Sequence, residues 1–409
     1  MSPAPQNRAT AGKSTRDVIV IAGGFALPDR NASAIRALGL ARLFSEMGHK
    51  TLILGKFEQD PSAGTATPHD VFEGIEMRDI RKPYPDSPRV DYTTRPKGLI
   101  HAVERFGEGQ RTCLFIYNFP SVVTLRLCAA RNRHGFRLAL DNTEWRVWEG
   151  KRVLRNLMWL LDSRIRTYVT TRLCRNALYT SRFFAAKAPT RNKLVLPFVV
   201  DPASRFWSTP GSDADAAPST PRRFVYSGSP GQGFFKDCIP TTLQAFAALK
   251  DEGHAFQLDI VGLTDAQCRS QAPVLAPVLD TLGDMVRFHG RVPHATSVDL
   301  VRRADYSVFI RQPTHNANAG FATKFVEAVT LGVPIISNPT SDIPLYLETD
   351  RNGVLAASHS VADVTAALRH ALMLDDAAYA HMRRQQNSHN PFELDHWTRP
   401  MAEFLAKLD

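Results

Sequence analysis

Short apolar runs recur along the chain, each closed by glycine or a polar cluster, and they alternate with longer segments of helical periodicity. The first run, residues 17–22, ends at Gly23-Gly24 and reads as a buried parallel strand followed by a tight turn. Ile35, Leu38, Ala41 and Phe44 then fall on one helical face and predict a helix over 32–47. Gly48-His49 closes that helix, and residues 51–55 resume a strand, which completes a βαβ unit. Further strands are expected at 113–117, 137–141, 177–179 and 194–197, with a helix over 122–133.

The pattern breaks at 202–222, where Ser, Thr, Pro, Gly, Asp and Ala dominate and an exposed linker is expected. Alternation then restarts. Residues 224–227 lead into Gly228, a helix is expected at 239–250, and strands at 256–261, 286–289, 306–310, 333–337 and 354–356. The chain therefore divides into a polar tail (1–16), a first domain (17–201), the linker (202–222), a second domain (223–390) and a terminal helix (391–409). The fold class is α/β, with two doubly wound parallel sheets, and the cleft between two such domains is the default ligand site. Phe392, Trp397, Met401 and Phe404 give the terminal segment an apolar stripe suited to packing on a domain.

Composition narrows the class. With 409 residues, 44% hydrophobic and 22% charged, the chain is neither disordered nor a small cross-linked scaffold. Five scattered cysteines with no Cys-x-x-Cys pair suit a reducing compartment. Residues 1–16 lack the apolar core of a signal peptide, and no apolar run is long enough to span a bilayer, so a cytoplasmic protein is expected.

The net charge of +10 is local. Residues 151–193 hold eleven basic side chains, from Lys151 to Lys193, and a single acid, Asp162. Leu154, Leu157, Met158, Trp159, Leu160, Leu161, Ile165 and Tyr168 are interleaved with them, as in a basic amphipathic helix. Such a surface suits a solvated face, anionic lipid, an anionic substrate or nucleic acid. Trp159 beside Leu160-Leu161 favours lipid over nucleic acid, for which no accompanying motif is present.

Two segments carry candidate chemistry. Gly228-Ser229-Pro-Gly-Gln-Gly233 is a glycine turn of the kind that brings backbone N–H groups onto a phosphate, and Lys236 follows it. It has neither dinucleotide-binding nor NTPase-loop spacing. Downstream, Arg311 leads to Gly320-Phe321-Ala322-Thr323-Lys324-Phe-Val-Glu327, in which Lys324 and Glu327 stand three apart on a helix. A first-turn lysine opposes the helix dipole unless an anion shares that helix end. Asp213-Ala-Asp215 has metal-clamp spacing but lies in the linker, where it reads as solvated.

Together these residues resemble the retaining glycosyltransferases of GT-B architecture, in particular the glycosyltransferase family 4 / group 1 superfamily and its capsular and exopolysaccharide subgroup. The resemblance rests on Gly23-Gly24 with Asn31 to Arg36, Leu196-Pro197, Tyr226-Ser-Gly with Lys236-Asp237, His289-Gly-Arg291-Val292, the segment Gly320 to Glu327, and Asp141-Asn-Thr-Glu144-Trp145. It implies a metal-independent transfer of sugar from a nucleotide-diphosphate sugar to a lipid-linked or saccharide acceptor, with no resident cofactor. It further implies that the terminal helix crosses back to the first domain and that Lys236, Lys324 and Glu327 are catalytic. Gly228, Ser229, Arg291, Val292, Arg311, Gly320, Phe321, Ala322 and Thr323 would bind donor, and Gly23, Gly24, Asn31, Glu144 and Trp145 acceptor. The family commonly carries a second glutamate eight positions before Glu327, where this chain has Ala319; Asn316, Asn318 and Arg311 are candidate replacements. A non-hydrolysing sugar-nucleotide 2-epimerase and a non-catalytic sugar-nucleotide-binding protein are the alternatives. The basic region is expected to dock peripherally on the cytoplasmic face of a membrane.

Overall fold

The structure, a computed structural model, describes residues 17–57, 69–91, 94–146, 148, 153–204, 207, 218–234 and 236–408. The polar tail, Lys151, Arg152, Asp213, Asp215 and most of the expected linker lie outside the described residues.

The first domain is an eight-stranded sheet. Its strands are β1 (Val18–Leu27), β2 (Lys50–Phe57), β3 (His69–Phe72), β4 (Ile75–Asp79), β5 (Thr112–Tyr117), β6 (Phe136–Asn142), β7 (Asn176–Tyr179) and β8 (Asn192–Val195). They lie in the order β3-β4-β2-β1-β5-β6-β7-β8, parallel except for β3, which pairs antiparallel with β4 at the edge. Because side chains alternate across a strand, Val18 and Val20 serve the core on one face and Ile19 and Ile21 the core on the other. Both faces are thus covered, as the unbroken apolar runs require.

The second domain has six parallel strands, β9 (Arg222–Ser227), β10 (Phe256–Val261), β11 (Val286–Gly290), β12 (Tyr306–Val308), β13 (Ile335–Ser337) and β14 (Gly353–Leu355). Their order is β11-β10-β9-β12-β13-β14, so the winding reverses between β9 and β12. In open parallel sheets a ligand crevice lies at the carboxyl ends of the two strands flanking such a reversal.

One expectation is corrected, and two features are added to the pattern. Gly23-Gly24 is not a turn: β1 continues through both glycines to Leu27, with an irregular register between Ala22 and Ala26. Gly23 serves packing, since a Cβ there would lie 2.5 Å from the Phe25 ring. The β3–β4 hairpin and the helix Lys97–Gly107 were not legible in the pattern, being short or set between irregular segments. The terminal stripe divides between the domains: Phe392 is buried in the second core, while Met401 and Phe404 join the first.

That division makes the hinge. Val200 N–H donates to the Phe392 carbonyl at 2.9 Å, and Leu394 N–H donates to the Val200 carbonyl at 3.1 Å. The two chain crossings are therefore zipped side by side. The helix Asp395–Ala406 then packs on the first domain beneath the helix Ala32–Glu46. Arg36, on that helix, is buried and grips Asp141 at 2.7 and 2.8 Å while donating to the carbonyls of Leu196 and Pro197.

Phe404→Ala is expected to cost about 3–5 kcal/mol, whereas Arg399→Ala on the exposed face of the same helix should stay within about 0.5 kcal/mol. Urea unfolding of both variants checks this. Equal midpoints would show that the last helix does not support the first domain.

Candidate active site at the interdomain cleft

The end of β9 and the end of β12 flank the reversal of the second sheet. Tyr226, near the end of β9, donates its hydroxyl to Asp237 Oδ2 at 2.7 Å. Arg311, past the end of β12, places Nε 2.8 Å from Asp237 Oδ1. Lys324, in the first turn of the helix Thr323–Thr330, places Nζ 2.5 Å from Asp237 Oδ2 and 4.1 Å from the centre of the Tyr226 ring. Asp237 is fully buried, so three strand and helix ends converge on one carboxylate.

The electrostatics follow from this packing. Burial alone would raise the Asp237 pKa, but Lys324 and Arg311 outweigh it and hold the carboxyl well below its usual range. Burial lowers the Lys324 pKa to about 8, with Asp237 opposing the shift. Lys236 stays exposed at the cleft, yet the surrounding protein and then Arg311 lower its pKa as well. The carboxylate cancels one of two buried cations, which leaves a net positive cluster at the strand ends.

Backbone donors join it. Gly228 adopts φ +134, and a Cβ there would lie 3.1 Å from Lys324 Nζ, so the glycine lets the ammonium seat beneath the turn. Ala322 caps the helix Thr323–Thr330 with no side-chain acceptor, and the first amides of that helix retain their donors. Two cavities open here. One of about 380 Å³ borders Ser229, Gly231 and Gly262. The other, about 330 Å³, lies between the domains, with Lys236, Arg311, Asn316, Gly320, Phe321 and Thr323 on one wall. Tyr117, Thr143, Glu144, Trp145 and Phe198 are among the residues of the opposite wall.

The expected site residues distribute unevenly over this geometry. Lys236, Arg311, Gly320, Phe321, Thr323, Glu144 and Trp145 line the cleft cavity, and Ser229 lines its neighbour. Lys324 lines neither; it turns to Asp237 instead of to Glu327 and supports the glycine turn from below. Glu327 faces His294, with Oε1 3.7 Å from Nε2, and raises the pKa of that imidazole. Arg291 and Val292 follow β11, next to the helix His294–Arg302. Asn31 is a helix cap, accepting from Ala34 N–H at 2.9 Å, and Gly23 and Gly24 lie in a strand. Trp145 is nearly buried and packs against Phe184 as well as the cleft.

Ala319 has a structural role. It is fully buried in the first domain's core, and its carbonyl accepts from Thr180 Oγ1 at 3.1 Å and Ser181 Oγ at 2.8 Å. Beside it His315 sits between the rings of Trp145 (6.0 Å) and Phe183 (5.6 Å). A glutamate at 319 would place a carboxylate in an apolar core, so the departure from the family pattern accompanies a close interdomain contact. Asn318 is committed to Ser341 N–H and the Pro313 carbonyl, which leaves Asn316 and Arg311 as the replacements that reach the cavity.

Sequence reasoning assigned no role to Asp237, Tyr226, Tyr117 or Thr143. Asp237 was detectable in principle: two buried-type cations on separate segments require a counter-charge, and it adjoins Lys236. Tyr117 accepts from Thr143 Oγ1 at 2.9 Å, and burial pushes its pKa up, so it stays a neutral phenol at the cleft.

Residues 222–373 match the family model described as glycosyl transferases group 1. No curated protein matches the chain. Among solved structures, sucrose-phosphate synthase from Thermosynechococcus elongatus superposes with a TM-score of 0.65 at 14% identity, covering 96% of this chain and 99% of that one. Anabaena HepE in complex with UDP and glucose gives 0.63 at 13% identity, covering 96% and 100%. WaaG, a glycosyltransferase involved in lipopolysaccharide biosynthesis, gives 0.57 at 14%, covering 95% and 100%. The fold is GT-B, two Rossmann-like domains across a cleft, and the protein is a glycosyltransferase.

Asp237→Asn removes the counter-charge while keeping the volume, and it should cost about 3–5 kcal/mol because two cations are left buried together. Without the carboxylate the Lys324 pKa falls below its wild-type value of about 8, so the loss should be largest at acidic pH, shrink as pH rises toward about 8 and level off above it. Thermal unfolding at several pH values measures both effects. If the Asp237→Asn variant is as stable as wild type at neutral pH, the carboxylate loses its central position.

Proposed function

We propose that the protein transfers a glycosyl group, with retention and without a metal ion, from a nucleotide-diphosphate sugar to a lipid-linked or saccharide acceptor in cell-surface polysaccharide assembly, working on the cytoplasmic side of a membrane. The observation that carries this reading is the cluster of Lys236, Arg311 and the Thr323–Thr330 helix start on one wall of a cleft whose other wall presents Glu144. HepE is bound to UDP and starch synthase IV to ADP, which supports a nucleoside diphosphate as the leaving group. WaaG acts in lipopolysaccharide biosynthesis, which supports a cell-surface product.

Cleavage of the bond between the anomeric carbon and the donor phosphate builds negative charge on the diphosphate. Fixed cations and N–H donors at that position stabilise the charge without reorganising. In this reading Lys236 and Arg311 contact the diphosphate directly. Lys324 adds its charge from beneath the glycine turn, and Asp237 orients it. As the old bond breaks, the acceptor oxygen bonds to the same face of the anomeric carbon, and its proton passes to the leaving phosphate. No separate base is then needed, and Glu144 orients acceptor or sugar hydroxyls. Glu327, beside His294, would serve ribose or sugar hydroxyls next to the glycine turn.

A panel of UDP-, GDP- and dTDP-sugars in a thermal-shift assay identifies the donor base, and acceptor-dependent release of nucleoside diphosphate demonstrates transfer. Epimerised sugar nucleotide with no such release would establish the 2-epimerase instead. Lys236→Ala, at an exposed position, should lower kcat by roughly 10²–10³-fold with little change in stability.

The pH response follows from Lys324. Above its pKa of about 8 the ammonium loses its proton and the cluster loses one positive charge. Nucleoside diphosphate affinity should therefore fall as pH rises through about 8, and Lys324→Met should lower the neutral-pH affinity and reduce the step. Calorimetric titration between about pH 7 and pH 9 checks it. A flat profile would separate Lys324 from the donor site.

A further inference from the structure

The helix Val153–Arg164 is built inside out. Its buried face holds Asn156 and Ser163, and the turns that follow bury Arg166, Thr167 and Thr170. Its exposed face holds Leu154 (72% exposed), Leu157 (58%), Met158 (63%) and Leu161 (61%), spaced i, i+3, i+4 and i+7. Tyr168, Val169 and Leu173 extend the exposed apolar surface. A helix that only covered the sheet would show the opposite arrangement. An apolar stripe of this size on the surface marks a contact with something apolar.

Charge selects the partner. Arg155, Arg164, Arg172 and Arg175 are exposed around the stripe. The one acid of the region, Asp162, is drawn inward, accepting from Ser121 N–H at 2.7 Å and Ser121 Oγ at 2.6 Å. Arg155 stacks over the Trp159 ring at 4.6 Å and Arg146 at 5.1 Å. Two copies packed through this face would set arginines against arginines, whereas a nucleic acid would leave the leucines without a partner. An apolar stripe rimmed by arginine with tryptophan at its margin matches the boundary between anionic headgroups and acyl chains.

We propose that Leu154, Leu157, Met158 and Leu161 insert into the acyl boundary of an anionic bilayer and that this docking sets the cleft beside the membrane. The inner face of the same helical segment is bolted to the cleft wall: Arg166 donates to the Glu144 carbonyl at 2.5 Å and to the Asn118 carbonyl at 3.4 Å. Insertion of the outer face therefore fixes where Glu144 stands relative to the lipid surface. This docking deepens the lipid-linked reading of the acceptor and rests on that reading for its purpose, not for its geometry.

The test uses the full chain with vesicles of phosphatidylcholine alone and of phosphatidylcholine mixed with phosphatidylglycerol. Wild type should co-sediment with the mixed vesicles and not with phosphatidylcholine alone. The combined variant Leu154→Gln, Leu157→Gln, Met158→Gln and Leu161→Gln alters exposed side chains only, so its thermal midpoint and nucleotide-induced thermal shift should match wild type. Its vesicle affinity should fall at least about tenfold, the loss expected from removing several buried apolar groups. Unchanged affinity of that variant would show a purely electrostatic attraction and overturn insertion. A wild-type mass that doubles without lipid, and returns to one chain in the variant, would assign the stripe to a second copy and equally overturn it. Vesicle binding without any nucleotide-induced shift would instead defeat the glycosyl-transfer reading and leave the docking standing.

Discussion

The Asp237 carboxylate is the point on which the second domain's functional edge depends. It ties together β9 through Tyr226, the segment beyond β12 through Arg311, and the start of the helix Thr323–Thr330 through Lys324. Without a counter-charge, neither cation could be held at the strand ends at so little exposure, because burying an unpaired ion costs several kcal/mol. The same carboxylate limits how positive the cluster is. One anion against two cations leaves a single surplus charge under the glycine turn, with Lys236 free to reach the cleft from above. The arrangement suits a site that must attract a diphosphate and release it again.

The second constraint is the contact between domains. Ala319, Gly320 and His315 lie against Thr143, Trp145, Thr180 and Ser181, so the segment after β12 belongs sterically to both halves of the molecule. The Ala319 carbonyl replaces side-chain chemistry at this position with a backbone acceptor. Sugar recognition on that side then falls to groups that face the cavity, Asn316 and Arg311 from one domain and Glu144 from the other. On the opposite edge the Val200–Phe392–Leu394 zipper and the last helix hold the hinge. The cleft is thus bounded by the Ala319 contact on one side and a backbone seam on the other, and each draws on a domain core.

Much of this was legible in the sequence where one local rule sufficed. The apolar runs at β1, β5, β9 and β10 and the periodic helix Ala32–Glu46 need only burial on two faces or one, and the pattern states that directly. Lys236, Arg311, Gly320, Phe321 and Glu144 were legible as candidates from the motifs that carry the family resemblance, and all five line the cleft cavity. Positions decided by tertiary neighbours were not. Gly23-Gly24 looks like a turn, but the Phe25 ring needs the space above Gly23 and the strand continues. Lys324 was assigned to Glu327 by helical spacing, yet a buried carboxylate on another segment outcompetes an i,i+3 partner at the surface. Glu327 accordingly faces His294, a partner from a helix that sequence spacing does not connect to it.

The basic region shows the same limit from the other side. Its composition identified a cationic helix with interleaved apolar residues, and Trp159 beside Leu160-Leu161 pointed to a lipid surface without saying which side of the helix is buried. The structure places the apolar residues outward because the interior of that corner is polar: Arg166 must reach the Glu144 and Asn118 carbonyls, and Asp162 must reach Ser121. Those polar contacts occupy one side of the helical segment, and the leucines are left on the other. Arg166, Thr167 and Thr170, spaced i, i+1 and i+4, share the inward face of the π-helical stretch Ile165–Thr170. Anchoring the helix to the cleft wall and exposing an apolar stripe are therefore one structural decision, and the charge surplus borders the surface that results.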